Sequence, residues 1–333
     1  MITMADVAKE AGVSIMTVSR VATGTGYVKE GTRKKVLRAM KALNYKPKKT
    51  TLENLEAGKM TLALIVPDIT NPFYTLIARG MEDVARKNGY RVFIANTDEN
   101  LDKESEYIDM CISLNADGVL IAPVGDPSAQ SLQLLAKATI PFVLVDRLIP
   151  GIEADTVKGD ITKASFLLVD HLLSLGHRRI AIITGPLASA SSRERLEGYR
   201  QALSERQIAY DDQLVVESVM TRQVDPSFLE DLLSLDPAPT AIFAANLFQY
   251  AHIYHWLREH NIAIPTAISL VCFGNSDTLI GIDSPVTCAI QPTYNFGSLG
   301  TQLLLERIEG ISLRPRKIIL EADVSYRNST CAR

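Results

Sequence analysis

The sequence predicts an α/β protein in two parts, a small all-helical N-terminal head and a larger body of doubly wound parallel sheets. Residues 1–45 have helical patterns and no strand pattern, residues 46–60 form a polar connector, and from residue 61 short apolar runs alternate with amphipathic segments. Near-continuous apolar strands separated by helices are typical of parallel sheets covered on both faces. A chain of 333 residues is also too long for a single hydrophobic core.

In the head, helices are predicted over residues 4–11, 15–22 and 31–44. In the body, the apolar runs predict eight strands, at residues 61–67, 90–96, 118–122, 141–146, 179–184, 214–217, 240–244 and 269–273. Helical patterns lie between them at residues 73–87, 103–114, 163–175, 193–205 and 247–260. Eight strand–helix units suit two lobes of four. We expect the chain to cross between the lobes near residues 155–160 and 288–292, with a helix at 296–309 returning to the first lobe.

Composition restricts the class of protein. The chain is 47% hydrophobic and 22% charged, as in ordinary globular proteins. No apolar run is long enough to span a bilayer, and the N-terminus lacks the basic and apolar regions of a signal peptide. We therefore expect a cytoplasmic protein without membrane contact. The four cysteines have no metal-ligand spacing and are expected to be reduced thiols, with Cys272 and Cys288 as possible neighbours.

The net charge of −3 conceals an asymmetry along the chain. Residues 1–59 carry twelve Lys and Arg against five Asp and Glu, a net charge of +7, whereas the remainder has a net charge of −10. A small basic head on an acidic body is typical of a nucleic-acid-binding module attached to another domain. The alternative is a basic surface that is merely solvated.

Residues 6–21 have the layout of a helix-turn-helix. Gly12 suits the left-handed turn between the helices, and Ser14 is placed to cap the second helix. An interior at helical spacing is supplied by Val7, Ala8, Ala11, Val13, Val18 and Val21. The motif predicts binding to duplex DNA, and a three-helix cap without a role in DNA binding is the alternative.

Side chains that point away from this interior are the candidates for DNA contact. The N-terminal part of the second helix contacts base edges in this motif. Arg20 is predicted to read a guanine through two hydrogen bonds, and Ile15 and Met16 to contact thymine methyl groups. The other candidates are polar or basic, with phosphate as the expected partner of most: Ser14, Thr17, Ser19 and Arg33, the last with Lys34 and Lys35.

These motifs together resemble the lactose/galactose-repressor (LacI/GalR) family of bacterial transcription regulators. The resemblance lies in DVAKEAGVSIMTVSRV at 6–21, VPDITNPFY at 66–74, LGHRRIAIITGP at 175–186 and RERLEGYRQAL at 193–203. It implies a helix-turn-helix DNA-binding domain (1–45), a hinge (46–60) and a two-lobed body like the type I periplasmic binding proteins. The first lobe is expected to comprise 61–158 and 293–320, and the second 159–292 and 321–333.

The connector resembles the family hinge, which forms a short helix on operator DNA. Leu55 matches the leucine that wedges into the minor groove, an insertion that unstacks bases in exchange for added contact. Leu52 and Glu53 depart from the usual alanine and arginine, so atypical operator affinity or hinge ordering is expected. A plain flexible linker is the alternative.

In open parallel sheets, ligands bind beyond the carboxyl ends of the strands. Polar and aromatic residues at these ends form the predicted effector-binding set, several of them through the resemblance: Asn71, Phe73, Tyr74, Asp146, Arg147, Ser191, Arg195, Asn246, Gly274 and Gln291. Two positions depart from the family pattern, because Leu247 and Gly274 stand where an acidic residue is common. Losing a carboxylate that grips hydroxyl groups favours an anionic ligand over a neutral sugar.

The resemblance implies a ligand-responsive repressor of a carbohydrate-utilisation operon. It would bind a pseudo-palindromic operator as a homodimer, with a sugar, sugar acid or sugar phosphate as effector. Nucleotide-binding and hydrolase motifs are absent, so no enzyme, cofactor or metal is expected, although His252 and His255 have a spacing that metals accept. A cytosolic solute-binding protein and an α/β enzyme with a helical cap are the alternatives. The sequence leaves open whether the effector releases or promotes DNA binding.

Overall fold

The computed structural model describes residues 4–14, 17, 18, 21, 28–43, 60–274, 285–311 and 314–333. The chain divides into two compact units, Met1–Lys59, which we call the head, and Met60–Arg333, which we call the body. None of the helices within the described residues is both long and apolar enough to cross a membrane.

The described part of the head is helical. Helix α1 spans Met4–Ala11 and helix α2 spans Glu30–Ala42, while Thr17, Val18 and Val21 are helical within the predicted second helix. Gly12 has the left-handed φ of +64° that the turn was predicted to require. The cap is confirmed as well, because the backbone N–H of Thr17 donates to Ser14 Oγ at 3.2 Å.

The head has a small apolar core. Of the predicted interior residues, Val7, Ala8, Val18 and Val21 are buried, and Ala11 and Val13 are half-buried. Helix α2 completes this core with Val36, Ala39 and Met40. The helices of the head are short and bury little surface, so the head is expected to have a small free energy of unfolding without a partner.

The body alternates strands and helices. Its strands are β1 (Thr61–Val66), β2 (Arg91–Asn96), β3 (Gly118–Ile121), β4 (Phe142–Val145), β5 (Asp155–Gly159), β6 (Ile180–Thr184), β7 (Val215–Glu217), β8 (Ala241–Ala244), β9 (Ser269–Phe273), β10 (Thr287–Ile290), β11 (Lys317–Leu320) and β12 (Asp323–Ser325). Its helices are α3 (Pro72–Lys87), α4 (Leu101–Ser113), α5 (Ala129–Lys137), α6 (Ile161–Ser174), α7 (Ala190–Glu205), α8 (Phe228–Leu233), α9 (Leu247–Glu259) and α10 (Thr293–Ile308).

These strands form two six-stranded sheets. The first has the order β11-β5-β4-β3-β1-β2 and is parallel throughout. The second has the order β12-β10-β9-β8-β6-β7 and is parallel except for the edge strand β12. Cys272 and Cys288 are neighbours in register on β9 and β10, and neither is in a disulfide.

The prediction of four strands in each lobe was wrong, because the described residues hold twelve strands. Strand β5 was taken for a crossover because it contains Asp155 and Lys158, and both are buried in ion pairs. Strands β11 and β12 are short, half-exposed edge strands without a continuous apolar run, and β10 has four residues. Helices α5 and α8 were missed for a similar reason, since each is short.

Helices α3 and α10 pack closely and bring distant segments to one end of the first sheet. A Cβ on Gly80 would lie 2.2 Å from the carbonyl oxygen of Tyr294, and one on Gly297 would lie 1.9 Å from that of Ile77. A residue with a Cβ atom at either position would force the two helices apart, so both positions require glycine. The N-termini of both helices therefore lie at the carboxyl ends of the strands, where a parallel sheet binds its ligands.

Candidate functional site

A cavity, which we call the cleft, lies at the carboxyl ends of the strands between the two sheets. It is lined by every residue of the predicted effector-binding set: Asn71, Phe73, Tyr74, Asp146, Arg147, Ser191, Arg195, Asn246, Gly274 and Gln291. The structure thus brings together residues that are up to 220 positions apart in the chain. Whether each of them touches a ligand stays a prediction.

The N-terminus of α3 supplies an aromatic wall. Asn71 caps this helix, its side chain accepting a hydrogen bond from the backbone N–H of Phe73 at 3.0 Å. The cap fixes the first turn, so that Phe73 and Tyr74 line the cleft. Phe73 packs edge-on against Tyr74, with ring centroids 5.0 Å apart, and against Phe296 at 5.7 Å. Such a wall can cover the apolar face of a sugar ring.

The turn after β4 carries two buried charges, Asp146 and Arg147. The Arg147 guanidinium donates to both carboxylate oxygens of Glu99, at 2.8 and 2.7 Å. It also donates to the carbonyl oxygens of Pro123 and Val124, at 2.9 and 2.7 Å. Arg147 is therefore held by the wall of the cleft.

The carboxyl group of Asp146 accepts a hydrogen bond from the hydroxyl of Tyr74 at 3.3 Å. Burial raises the pKa of Asp146, and the neighbouring cations Arg147, Arg195 and Lys158 oppose this effect. Burial likewise raises the pKa of the Tyr74 phenol. Both groups consequently favour their neutral forms more than they would in water.

Arg195 on α7 is held differently. It is only 7% exposed, and its guanidinium lies 4.7 Å from the centroid of the Phe273 ring. Its Nε and Nη1 atoms have no hydrogen-bond partner in the described part of the chain, and neither does Nε2 of the buried Gln291. Burial lowers the pKa of Arg195, with Asp146 acting in the opposite direction. Unpaired buried donors each cost roughly 1–3 kcal/mol, so these atoms are suited to a ligand that offers oxygen acceptors.

Asn246 joins the cleft to a loop that the sequence analysis missed. Its side chain caps α9 by accepting from the N–H of Gln249 at 2.9 Å and donates to the carbonyl oxygen of Met220 at 2.7 Å. Both polar atoms of Asn246 therefore have protein partners. Met220 and Thr221 line the cleft, as does Glu99. Glu99 follows the end of β2 by three residues, which is the signal that could have identified it.

Leu247 and Gly274 meet at the edge of the cleft. A Cβ on Gly274 would lie 3.2 Å from Cγ of Leu247, and both residues line the cavity. The first residue of α9 is thus an apolar side chain, in a position where the resemblance led us to expect a carboxylate.

The candidate DNA contacts in the head are only partly described. Ser14 is exposed, Thr17 is half-buried, and their hydroxyl groups are 2.9 Å apart in a hydrogen bond. Arg33 is exposed on α2, together with Lys34 and Lys35. The remaining candidates lie outside the described residues: Ile15, Met16, Ser19, Arg20 and the connector residues Leu52, Glu53 and Leu55.

Two family models match the chain, and together they cover head and body. Residues 3–48 match the model for bacterial regulatory proteins of the lacI family. Residues 59–306 match the model for periplasmic binding proteins and the sugar-binding domain of the LacI family. The chain belongs to the LacI family.

Relatives agree with this assignment over the full length. The chain is 30% identical to catabolite control protein A of Priestia megaterium, with 99% of each chain covered. It is 31% identical to the transcriptional repressor CytR of Escherichia coli K12, with 99% of this chain and 96% of the relative covered. A solved complex of the transcriptional regulator CelR with cellobiose is 28% identical, with a TM-score of 0.74 and coverage of 99% and 100%.

The family assignment confirms the predicted fold class, a helix-turn-helix head on a periplasmic-binding-protein-like body. It also confirms a DNA-binding transcription regulator with a body that binds a small-molecule effector, and the relatives are themselves transcription regulators. The described residues contain no group of three or more His, Cys, Asp or Glu that could hold a metal ion. His252 contacts the carbonyl oxygen of Arg222 at 3.0 Å, and His255 contacts Glu259 at 3.1 Å.

Proposed function

We propose that this LacI-family protein represses a carbohydrate-utilisation operon as a homodimer on a pseudo-palindromic operator, under the control of an anionic sugar derivative. The observation that carries the proposal is a set of buried donors without a hydrogen-bond partner in the described chain, on residues that line the cleft: two on Arg195, one on Gln291 and one on Arg147. A carboxylate or phosphate supplies the acceptors that these donors lack, and bonds from a guanidinium to such groups are among the strongest hydrogen bonds.

The apolar edge of the cleft supports the same ligand class. The side chains at Leu247 and Gly274 offer no acceptor to a sugar hydroxyl. Asp146 and Glu99 are the carboxylates nearest the cations, and Glu99 is engaged by Arg147. The hydroxyl oxygens of a neutral sugar can also accept from Arg195, but hydrogen bonds between two charged groups are the stronger ones. A sugar acid or sugar phosphate would form such bonds with Arg195.

Control of DNA binding requires that the effector prefer one state of the protein. Residues from both sheets line the cleft, so a ligand there contacts both lobes and favours their closure. A complete switch between two states requires a preference of roughly 5.5 kcal/mol. As part of the proposal, the lobes comprise 61–158 with 293–320 and 159–292 with 321–333. The protein then acts in the cytoplasm and is not an enzyme.

A gel-shift titration tests operator binding. The probe is the promoter region upstream of the protein's own gene, at 50 and 200 mM salt. We expect specific binding that weakens steeply at the higher salt and is lost in Arg20→Ala, because phosphate and base contacts come from the head. The control is Arg178→Ala, an exposed arginine of the body, which should bind as the unmodified chain does. Absence of binding, with and without ligand, would contradict the repressor.

Calorimetry on the same protein tests the effector class. Glucuronic acid, galacturonic acid and glucose 6-phosphate are each compared with glucose and galactose. We expect at least one anion to bind more tightly than both neutral sugars and to change the gel shift. Tighter binding by a neutral sugar would contradict the anionic class and leave operator binding untouched.

A further inference from the structure

A second cavity, which we call the second chamber, adjoins the cleft. Membership of the LacI family does not by itself say what this chamber binds. It shares five lining residues with the cleft: Glu99, Arg147, Ser191, Met220 and Thr221. The two cavities therefore adjoin along these residues.

The second chamber differs from the cleft in chemistry. Its own wall is mostly apolar, with Leu101, Val124 and Pro127 on the side of the first sheet and Pro186, Ala188 and Val219 on the side of the second. Leu101 is 37% exposed and Val219 is 43% exposed, so the wall leaves apolar surface in contact with water. Covering that surface with an apolar group is favourable.

The polar residues of the chamber are largely engaged with each other. Arg147 and Glu99 form their two hydrogen bonds along the shared wall, and the hydroxyl groups of Ser189 and Ser191 are 3.0 Å apart. Ser192 contributes a buried hydroxyl without a partner in the described chain, a match for one linking oxygen. The chamber thus offers little to the many hydroxyl groups of a second sugar.

Met220 lines both cavities and marks their junction. Gly185 makes room for it, because a Cβ there would lie 2.5 Å from Cγ of Met220. The amide of Gln249 reaches the Met220 sulfur at 3.6 Å, and Asn246 holds the Met220 carbonyl. A fixed thioether at this point suits an aromatic or aliphatic group.

We infer that the effector is a glycoside with two unlike halves: an anionic sugar in the cleft and an apolar aglycone in the second chamber. This inference rests on the proposed function, which places an anionic sugar derivative at Arg195. The aglycone would touch both lobes, because Pro127 and Ala188 face it from opposite sheets. It would therefore add to the preference for closure as well as to affinity.

Matched glycosides test the inference by calorimetry on the full chain. Glucuronic acid, galacturonic acid and glucose 6-phosphate are each used as the methyl glycoside and as the 4-nitrophenyl glycoside. For the head group that binds, we expect the aryl glycoside to bind roughly tenfold more tightly than the methyl glycoside, since an aryl ring leaves water. Aryl and methyl glycosides of equal affinity would overturn the inference and leave the proposed function intact. Failure of every anionic probe would contradict the proposed effector class, and the inference with it.

A substitution tests whether the higher affinity of the aryl glycoside comes from contacts in the second chamber. Ala188→Trp fills the second chamber and should remove most of the difference between aryl and methyl glycosides. Ala209→Trp, at an exposed alanine elsewhere in the second lobe, should keep that difference. A difference that survives Ala188→Trp would place the aryl group elsewhere and overturn the assignment. A disaccharide that carries glucose in place of the aryl group is a further test. If it gained as much affinity as the aryl glycoside, the chamber would be a site for a second sugar, and the inference would be overturned.

Discussion

The two buried arginines of the cleft are satisfied by the protein to different degrees. On the first lobe, Arg147 makes four hydrogen bonds to Glu99, Pro123 and Val124 through its Nη atoms, and its Nε, which lies 3.6 Å from Asp146, has no hydrogen-bond partner in the described chain. On the second, Arg195 leaves Nε and Nη1 without a partner and packs over an aromatic ring. A buried charged side chain whose hydrogen bonds are satisfied by the protein contributes to the structure of the cleft wall. A buried charged side chain with unsatisfied donors lowers the free energy of unfolding and is retained where function requires it. The difference indicates that the first lobe shapes the cleft and the second lobe grips the ligand.

The largest effect is expected from Arg147→Leu. The substitution leaves the Glu99 carboxylate and two carbonyl oxygens without their donor, and the loss should be about 3 kcal/mol of unfolding free energy. Urea unfolding of the body measures it. Arg178→Leu, at an exposed arginine, should stay within about 0.5 kcal/mol of the unmodified chain. Equal stabilities of the two variants would contradict the role of Arg147 in the wall.

Arg195→Leu should have the opposite sign. It removes a buried guanidinium with unsatisfied N–H groups, so the ligand-free protein should gain roughly 1 kcal/mol of unfolding free energy. The same variant should bind operator normally and lose its response to the anionic effector. Urea unfolding and the gel shift with effector measure the two parts. A destabilisation comparable with that of Arg147→Leu would remove the distinction between the two arginines.

Asp146 lies between the two arginines and should make effector binding depend on pH. Burial raises the pKa of this carboxyl, and the charged groups around it are Arg147, Arg195, Lys158 and Glu194. As the pH falls from 8 towards this raised pKa, a growing fraction of Asp146 becomes neutral and stops repelling an anionic ligand. Glucuronic acid stays ionised between pH 8 and 5, so its affinity should rise with acidification.

The variant Asp146→Asn should bind that anion roughly tenfold more tightly at pH 8 and with little dependence on pH, because a neutral amide does not repel the anion. Asp212→Asn, an exposed aspartate, should behave as the unmodified chain. Calorimetry at pH 8 and pH 5.5 gives the comparison. An affinity that falls on acidification in the unmodified chain would contradict the expected sign.

The sequence predicted the cleft better than it predicted the sheets. Residues such as Asn71, Asp146 and Asn246 directly follow apolar strands or cap helices, and parallel strands place all such positions at one edge. Strand β5 was missed because Asp155 is satisfied by Arg307 and Arg316 from late in the chain. Such a partnership is invisible in a local pattern of hydrophobicity.

The missed residues of the cleft have a common physical origin. Met220 and Thr221 lie in a loop after β7 that has no pattern of its own, and the loop is positioned by Asn246 and Gln249 of α9. Glu99 has a positive φ of 55°, and its carboxylate is held in the cleft by two hydrogen bonds from Arg147. Each depends on a contact between segments that are distant in sequence.

The smallest effect is expected at the rim of the second chamber, where an exposed ion pair joins the lobes. Arg193 on α7 donates to Asp126 of the first lobe at 3.0 and 3.2 Å and to the carbonyl oxygens of Leu187 and Ala188. The two side chains are 43% and 38% exposed, so the pair should contribute roughly 0.2–1 kcal/mol. That free energy should favour closure.

Asp126→Asn should therefore weaken binding of the effector by at most about fivefold at low salt, and the difference should shrink at high salt because exposed charges are screened. The matched control is Asp170→Asn, since Asp170 pairs with Arg206 at similar exposure within the second lobe. If both substitutions weaken binding equally, the pair at the rim acts on the fold in general. If only Asp126→Asn weakens binding, the ion pair at the rim stabilises the closed state around the ligand. Its role is then like that of Arg195, which is predicted to bind the ligand, and unlike that of Arg147, which forms part of the wall.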